Sequence, residues 1–254
     1  MSELITRRKL ITTGLATAAG LAGVAAAAKI ADRYGFIPPD HRGIFGAGET
    51  LTYAAQRILM SRHSMAREFS RSEISKVVPV NGKHPQTDEY QRLLAGGFAD
   101  WKLTIDGLVA RPASFSLADL KRLPAYTQIT HQACEEGWSF IAEWKGVRLS
   151  DVLNAVGIAP QAKWVFYISI DKDWWDSIDV PDAMHPQTFL AFGMNGQEIP
   201  LDHGAPIRLR VPRQLGYKSV KFVNHITVTD TMKGIGDGLG SGSPSTGYSW
   251  YAGI

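Results

Sequence analysis

The 254-residue chain has a single cysteine, Cys134. No intrachain disulfide can form, and a zinc or iron–sulfur cage built from cysteines alone is excluded. There is no Cys-x-x-Cys-His run for attached haem. There is also no His-x-x-x-His pair, which leaves a zinc hydrolase built on His131, His185, His203 and His225 without the close spacing such sites show. A basic excess is missing from most of the chain. Residues 1–34 carry five basic and two acidic side chains and account for the whole formal charge of +3; the remainder carries 22 of each sign. Nucleic-acid binders concentrate positive charge on their folded part, so no nucleic-acid partner is expected. What is present, 44% apolar and 20% charged residues, is ordinary globular material of one or two domains.

The chain opens with Thr6-Arg7-Arg8-Lys9-Leu10-Ile11, followed by an Ala/Gly-rich apolar run to Ala28. A basic stretch ahead of an apolar one reads as an export signal, and the paired arginines make it a twin-arginine signal. The run Leu10–Ala28 approaches the ~20 residues a membrane span needs, but Thr12, Thr13, Gly14, Thr17, Gly20 and Gly23 weaken it. The expectation is a periplasmic protein, with retention at the membrane by an uncleaved segment as the variant. One thiol in an oxidising compartment cannot mispair internally.

Beyond a signal segment at 1–34, residues 35–100 read as an arm wrapped on the core, with a helix over Leu51–Met60 and a turn at Gln91–Leu94. From Trp101 the pattern changes. Leu103 and Ile105 alternate with Lys102, Thr104 and Asp106 in a half-buried strand. Ser116 caps a helix to Leu120, and Ser150 caps another over Asp151–Val156 that Gly157 closes. Tyr126–Thr130, Trp164–Ile170, Ile207–Val211 and Phe222–Thr229 are strands, and Leu190–Met194 turns through Asn195-Gly196 into Gln197–Ile199. A core over 101–230 and a Gly/Ser-rich tail over 231–254 complete an α+β chain built on mixed sheets.

Two clusters carry the chemistry. Cys134 follows a strand among Gln132, Glu135, Glu136 and Gly137. It is either a buried small hydrophobe, a nucleophile served by His131, or a metal ligand. The second cluster runs from His203 to Lys221 and holds Arg208 and Arg210 on one strand face, with Gly216, Lys218, Ser219 and Lys221 beyond. Arginine forks and backbone N–H groups suit a phosphate; the alternative is a solvated sheet edge.

The ordered motifs Cys134-Glu135-Glu136-Gly137-Trp138-Ser139, Trp144-Lys145-Gly146-Val147, His185-Pro186-Gln187-Thr188, Gly193-Met194-Asn195-Gly196, His203-Gly204-Ala205-Pro206 with Arg208, and Leu215-Gly216-Tyr217-Lys218 with Lys221 resemble the molybdopterin-binding domain of the sulfite oxidase family. The similarity is strongest to small exported bacterial members, among them periplasmic protein-methionine-sulfoxide reductase catalytic subunits. The resemblance implies one molybdenum held by a molybdopterin and by the thiolate of Cys134. It implies cofactor contacts from His203, Arg208, Ser219, Val220 and Lys221, from Ser169 or Asp171, and from an arm segment in which Ser64, Arg67 and Glu68 match best, with Arg62 and His63 beside them.

The chain departs from the family at telling places. Sulfite oxidases carry arginines shortly after the ligand cysteine, whereas Gly137-Trp138-Ser139-Phe140-Ile141 stands here. A sulfite dianion would be poorly compensated. Trp174 and Trp175 either line a substrate mouth or pack under a loop. The expected function is oxygen-atom transfer, in the direction of S-oxide or N-oxide reduction, methionine sulfoxide included. The alternatives are sulfite dehydrogenase-like oxidation and a non-catalytic exported cofactor-binding protein. By the same resemblance electrons come from a separate partner, a membrane b-type cytochrome, and the catalytic subunit is a monomer.

Overall fold

The computed structural model describes residues 23, 26, 28–32, 36–60 and 63–254. The paired arginines, most of the apolar run and Arg62 lie outside the described residues. The chain divides into two compact units, Met1–Ile37 and Pro38–Ile254. In the first, residues 28–32 are helical. Among the described residues no helix is long and apolar enough to cross a membrane.

The second unit runs α1 (Gly46–Leu59), α2 (Asp88–Ala95), β1 (Lys102–Gly107), β2 (Ala113–Ser116), α3 (Leu117–Arg122), β3 (Ala125–Ala133), β4 (Ser139–Arg148), α4 (Leu149–Val156), β5 (Trp164–Ser169), β6 (Trp175–Asp179), α5 (Val180–Ala183), β7 (Phe189–Met194), β8 (Gln197–Glu198), α6 (Leu201–Gly204), β9 (Arg208–Arg210) and β10 (Val223–Thr229). One sheet has the order β2-β1-β10-β5-β6; the other is β3-β4-β7-β8, with β9 on β7. The β1–β10 pair is parallel and its neighbours are antiparallel. The architecture is therefore the mixed-sheet α+β arrangement.

Local chemistry accounts for the elements. Leu103 and Ile105 are fully buried while their neighbours face outward, as strand alternation requires. Ser116 and Asp119 form a reciprocal capping box that starts α3. In α4, Leu149, Val152, Leu153 and Val156 form one buried stripe. Its N-cap is Arg148, not Ser150: strand β4 runs directly into the helix, so Ser150 falls inside the first turn. Gly157 closes α4 with φ 73°. Asn195 and Gly196, both at positive φ, make the tight β7–β8 turn.

Strands β2, β4 and β6 were not legible in the sequence. In β4, Phe140, Ala142 and Trp144 point inward, and a register shift at Lys145/Gly146 then brings Val147 inward. The bulge breaks the alternation that sequence reading relies on. The C-terminal residues Trp250 and Tyr251 pack with Tyr53 of α1, Trp164 and Met232 in a cluster of their own.

Candidate functional site

Strands β3 and β4 pair without a slip from Ala125↔Val147 to Ala133↔Ser139, so Cys134–Trp138 form the hairpin loop. The Cys134 N–H donates to Trp138 O at 2.9 Å and the Gly137 N–H to Cys134 O at 3.1 Å. The thiol is thus fixed at the tip of a rigid ribbon. The turn after β9 presses against it. A side chain at Gly216 would bring a Cβ to 2.5 Å from Gln132 Nε2 and 2.9 Å from Ala133 O, so only glycine permits this approach.

Between these limbs lies a cavity of about 370 Å³, lined by Cys134, Gln132 and Glu135 on one side and by Arg208, Tyr217, Ser219, Val220 and Lys221 on the other. Ser169, Asp171, Asp173 and Trp174 close one end, and Asn81, Gly82 and Lys83 of the arm close another. Arg208 Nη1 donates to His203 O at 3.0 Å and Nη2 to Ser219 O at 2.8 Å. Lys221 Nζ donates to Asp202 O at 2.9 Å and to Asn81 O. The Ser169 hydroxyl donates to Asp171 Oδ1.

The electrostatics ask for an anion. Burial pushes Arg208 down to about 10, and burial together with Arg208 pushes Lys221 down to about 8. Two cations held in one partly dry wall gain most from a negative ligand. Arg208 Nε and Gln132 Oε1 are buried without a hydrogen-bond partner, so the wall has unused donor and acceptor capacity. At the thiol, burial and the neighbouring carboxylates of Glu135 and Glu136 push the pKa up to about 11, and Glu135 Oε2 lies 3.4 Å from Sγ. A free nucleophile needs the opposite environment. His131 supplies no base: it is absent from the cavity lining and its ring packs near Phe69, centroids 6.5 Å apart. A metal, which deprotonates a coordinating thiol outright, reconciles the sulfur with its surroundings.

Of the residues singled out in the sequence, Cys134, Ser169, Asp171, Arg208, Ser219, Val220 and Lys221 line this cavity. His203 stands behind Arg208, with its backbone carbonyl bound to the guanidinium. Ser64, Arg67 and Glu68 do not line it. Glu68 bridges to Thr130 on the edge of β3 and accepts from Gln187; Arg67 is exposed and pairs with Glu73; Ser64 O meets His185 Nε2 at 3.1 Å. The arm reaches the cavity later in the chain, through the turn dipeptide Asn81-Gly82 and Lys83, whose only sequence signal was that dipeptide. Lys218 is not a ligand-facing cation: it is fully buried and bound to Asp176 Oδ1 at 2.6 Å. The two tryptophans divide. Trp174 lines the cavity mouth, while Trp175 belongs to β6 and packs near Phe166. His185 and His225 have partners of their own, in Ser64 and Asp106, and among the described residues no three metal-binding side chains converge.

A mixed-sheet α+β fold with one thiol facing a cationic, anion-seeking wall fits a molybdopterin-type site, and the chain belongs to that class: residues 91–234 match the oxidoreductase molybdopterin binding domain family. It is a molybdopterin-dependent oxidoreductase of the sulfite oxidase family, with Mo-molybdopterin as its cofactor. Among relatives, it is 34% identical over 77% of its length to the "Putative protein-methionine-sulfoxide reductase subunit YedZ1" of Azospira oryzae, covering 70% of that protein. It is 33% identical over 51% of its length to the protein-methionine-sulfoxide reductase catalytic subunit MsrP of Ralstonia nicotianae, and 34% identical over 52% to that of Xanthomonas campestris pv. campestris. It spans 44% and 46% of those two proteins. Among solved structures, the sulfane dehydrogenase SoxCD from Paracoccus pantotrophus superposes with a TM-score of 0.50 and 30% identity, over 52% of this chain and 39% of that one.

Proposed function

We propose that this chain is an exported catalytic subunit that reduces an S-oxide, methionine sulfoxide among them, with electrons delivered by a separate membrane haem protein. The observation that carries the reading is the shared cavity: the lone thiol, Cys134, and the cationic wall of Arg208 and Lys221 face one space. In this reading Cys134 Sγ would ligate the metal, and Arg208, Lys221 and the Ser219–Val220 backbone would hold the anionic end of the cofactor. His203 positions Arg208 through its carbonyl. Ser64 and Glu68 would serve the cofactor only through the arm, which they tie to His185 and to β3, and Arg67 only through its pair with Glu73, while Ser169 and Asp171 would shape the far end.

When bound, the cofactor supplies two-electron oxygen-atom exchange. Reducing an S-oxide consumes two electrons and two protons and releases a sulfide and water. Neutral S-oxide suits a mouth whose first residues after the thiol are Glu135 and Glu136; a sulfite dianion would meet carboxylates there. Trp174, half exposed at the rim, offers an aromatic face to a sulfur-bearing side chain. The relatives named as subunits support a partner for electron delivery. The leader Arg7-Arg8 supports periplasmic export.

The test is metal content and turnover of the full chain made with its leader intact. About one molybdenum per chain, lost in Cys134→Ala, is expected, with reduction of methyl sulfoxides by reduced viologen. Sulfite oxidation with no oxide reduced would overturn the substrate assignment, and a chain without molybdenum would overturn the site.

A further inference from the structure

Helix α1 is amphipathic in the reverse sense. Its polar side chains point into the protein: Arg57 pairs with Asp179 and Asp182, the Tyr53 hydroxyl donates to Asp179 Oδ2 at 2.7 Å, and Gln56 Oε1 accepts from the Gly253 N–H at 3.0 Å. Its apolar side chains point to solvent. Leu51 is 73% exposed, Ile58 73% and Leu59 82%, and just ahead of the helix Ile44 is 97% and Phe45 66% exposed. At 3.6 residues per turn, Leu51, Ala55, Ile58 and Leu59 form one outward stripe. A helix on a water-facing surface carries the opposite pattern, and a contiguous exposed apolar patch marks a surface that meets something apolar.

We infer that this face lies in the interfacial layer of a lipid bilayer, with α1 parallel to the membrane plane. The charge pattern favours a bilayer over a protein. His41 and Arg42 precede the helix and Arg62 and His63 follow it in the sequence, while its one acidic residue, Glu49, is off the outward stripe. Basic ends around an apolar face fit anionic headgroups. The apolar run Leu10–Ala28 with its basic leader ends fewer than twenty residues upstream, so the sequence ahead of the helix already carries an export-type apolar segment. The inference rests on the export reading only for which bilayer is met. It adds a second contact, made by the folded unit itself, that would hold the cavity-bearing domain against the surface from which electrons arrive.

The experiment uses the full chain with vesicles of phosphatidylethanolamine and phosphatidylglycerol at three to one. Leu51→Trp places a reporter on the stripe, and brominated lipid is expected to quench that added emission by about half, beyond any quenching of the seven native tryptophans in the unsubstituted chain. Adding Ile58→Glu is expected to remove the extra quenching. No extra quenching overturns the inference, even where the chain binds vesicles through residues 10–28. A lipid-free dimer in sedimentation velocity that Ile58→Glu dissociates assigns the face to a second copy and overturns it as well. Recovery of the chain from the cytoplasm would sink the export reading alone, because the quenching reads the helix face directly.

Discussion

At the scale of single residues, the cost of burial is visible in two histidines outside the cavity lining. Burial lowers both His185 and His203 to about 4 from an ordinary 6.5, with Arg213 adding to the effect on the first and Arg208 and Lys221 on the second. Both are neutral when folded at neutral pH and bind protons readily when unfolded. Between about pH 6.5 and 4 these two sites therefore hold more protons in the unfolded chain than in the folded one, and their contribution to stability rises with pH across that window. Calorimetric Tm is expected to fall as pH drops from 6.5 towards 4, and His185→Gln is expected to flatten that slope by roughly one proton's worth. Cys134 is the complementary case. Its identity and polar neighbours were plain in the sequence, yet nothing there excluded His131 as a base. That took the geometry of β3, which turns His131 out of the cavity that Gln132 enters.

At the scale of elements, α1 shows how a polar helix face is paid for. Arg57 brings a guanidinium to Asp179 and Asp182, two carboxylates buried at the start of α5, and lies over the Tyr251 ring at 4.6 Å. Burial and Asp182 raise Asp179, and Arg57 pulls it back. Removing one member of such a group leaves the others charged and dry. Arg57→Ala is expected to cost about 3–5 kcal/mol in urea unfolding, far more than Leu51→Ala on the outward stripe. The spacing of Leu51, Ala54, Ala55, Ile58 and Leu59 marked a helix over Leu51–Met60, which the structure extends back to Gly46, but it did not say which way that stripe faces. Periodicity finds a helix and its apolar stripe; it cannot say which side the protein is on.

At the scale of the molecule, the tail builds a separate buried cluster against helix α1 and β5. Trp250 is fully buried, its N–H donates to Asp40 Oδ2 at 2.8 Å and its indole to Ser177 Oγ at 2.9 Å, and Lys218 lies over its ring at 4.6 Å. The arm, the tail and the turn that supports the cavity thus meet at one side chain. Trp250→Ala is expected to destabilise the fold by about 3–5 kcal/mol, and a thermal shift assay should show a marked fall in Tm while Leu59→Ala leaves it unchanged. Composition had marked residues 231–254 only as a Gly/Ser-rich tail.

The sequence by itself determined the class through its ordered motifs, from Cys134–Ser139 to Leu215–Lys218 with Lys221, whose resemblance to the sulfite oxidase family the match over residues 91–234 bears out; residue type, spacing and alternation are local properties of the chain, and alone they left the thiol and the cationic strand with more than one reading. The tertiary structure decided which residues share a space. It put Asn81 and Lys83 at the cavity, set Glu68 against β3, Ser64 against His185 and Arg67 beside Glu73 instead, withdrew Lys218 into a buried pair with Asp176, and turned the apolar stripe of α1 outward. Those outcomes depend on contacts between segments far apart in the chain, and the free energy that selects them, burial and charge pairing across the fold, is not written in any single stretch of it.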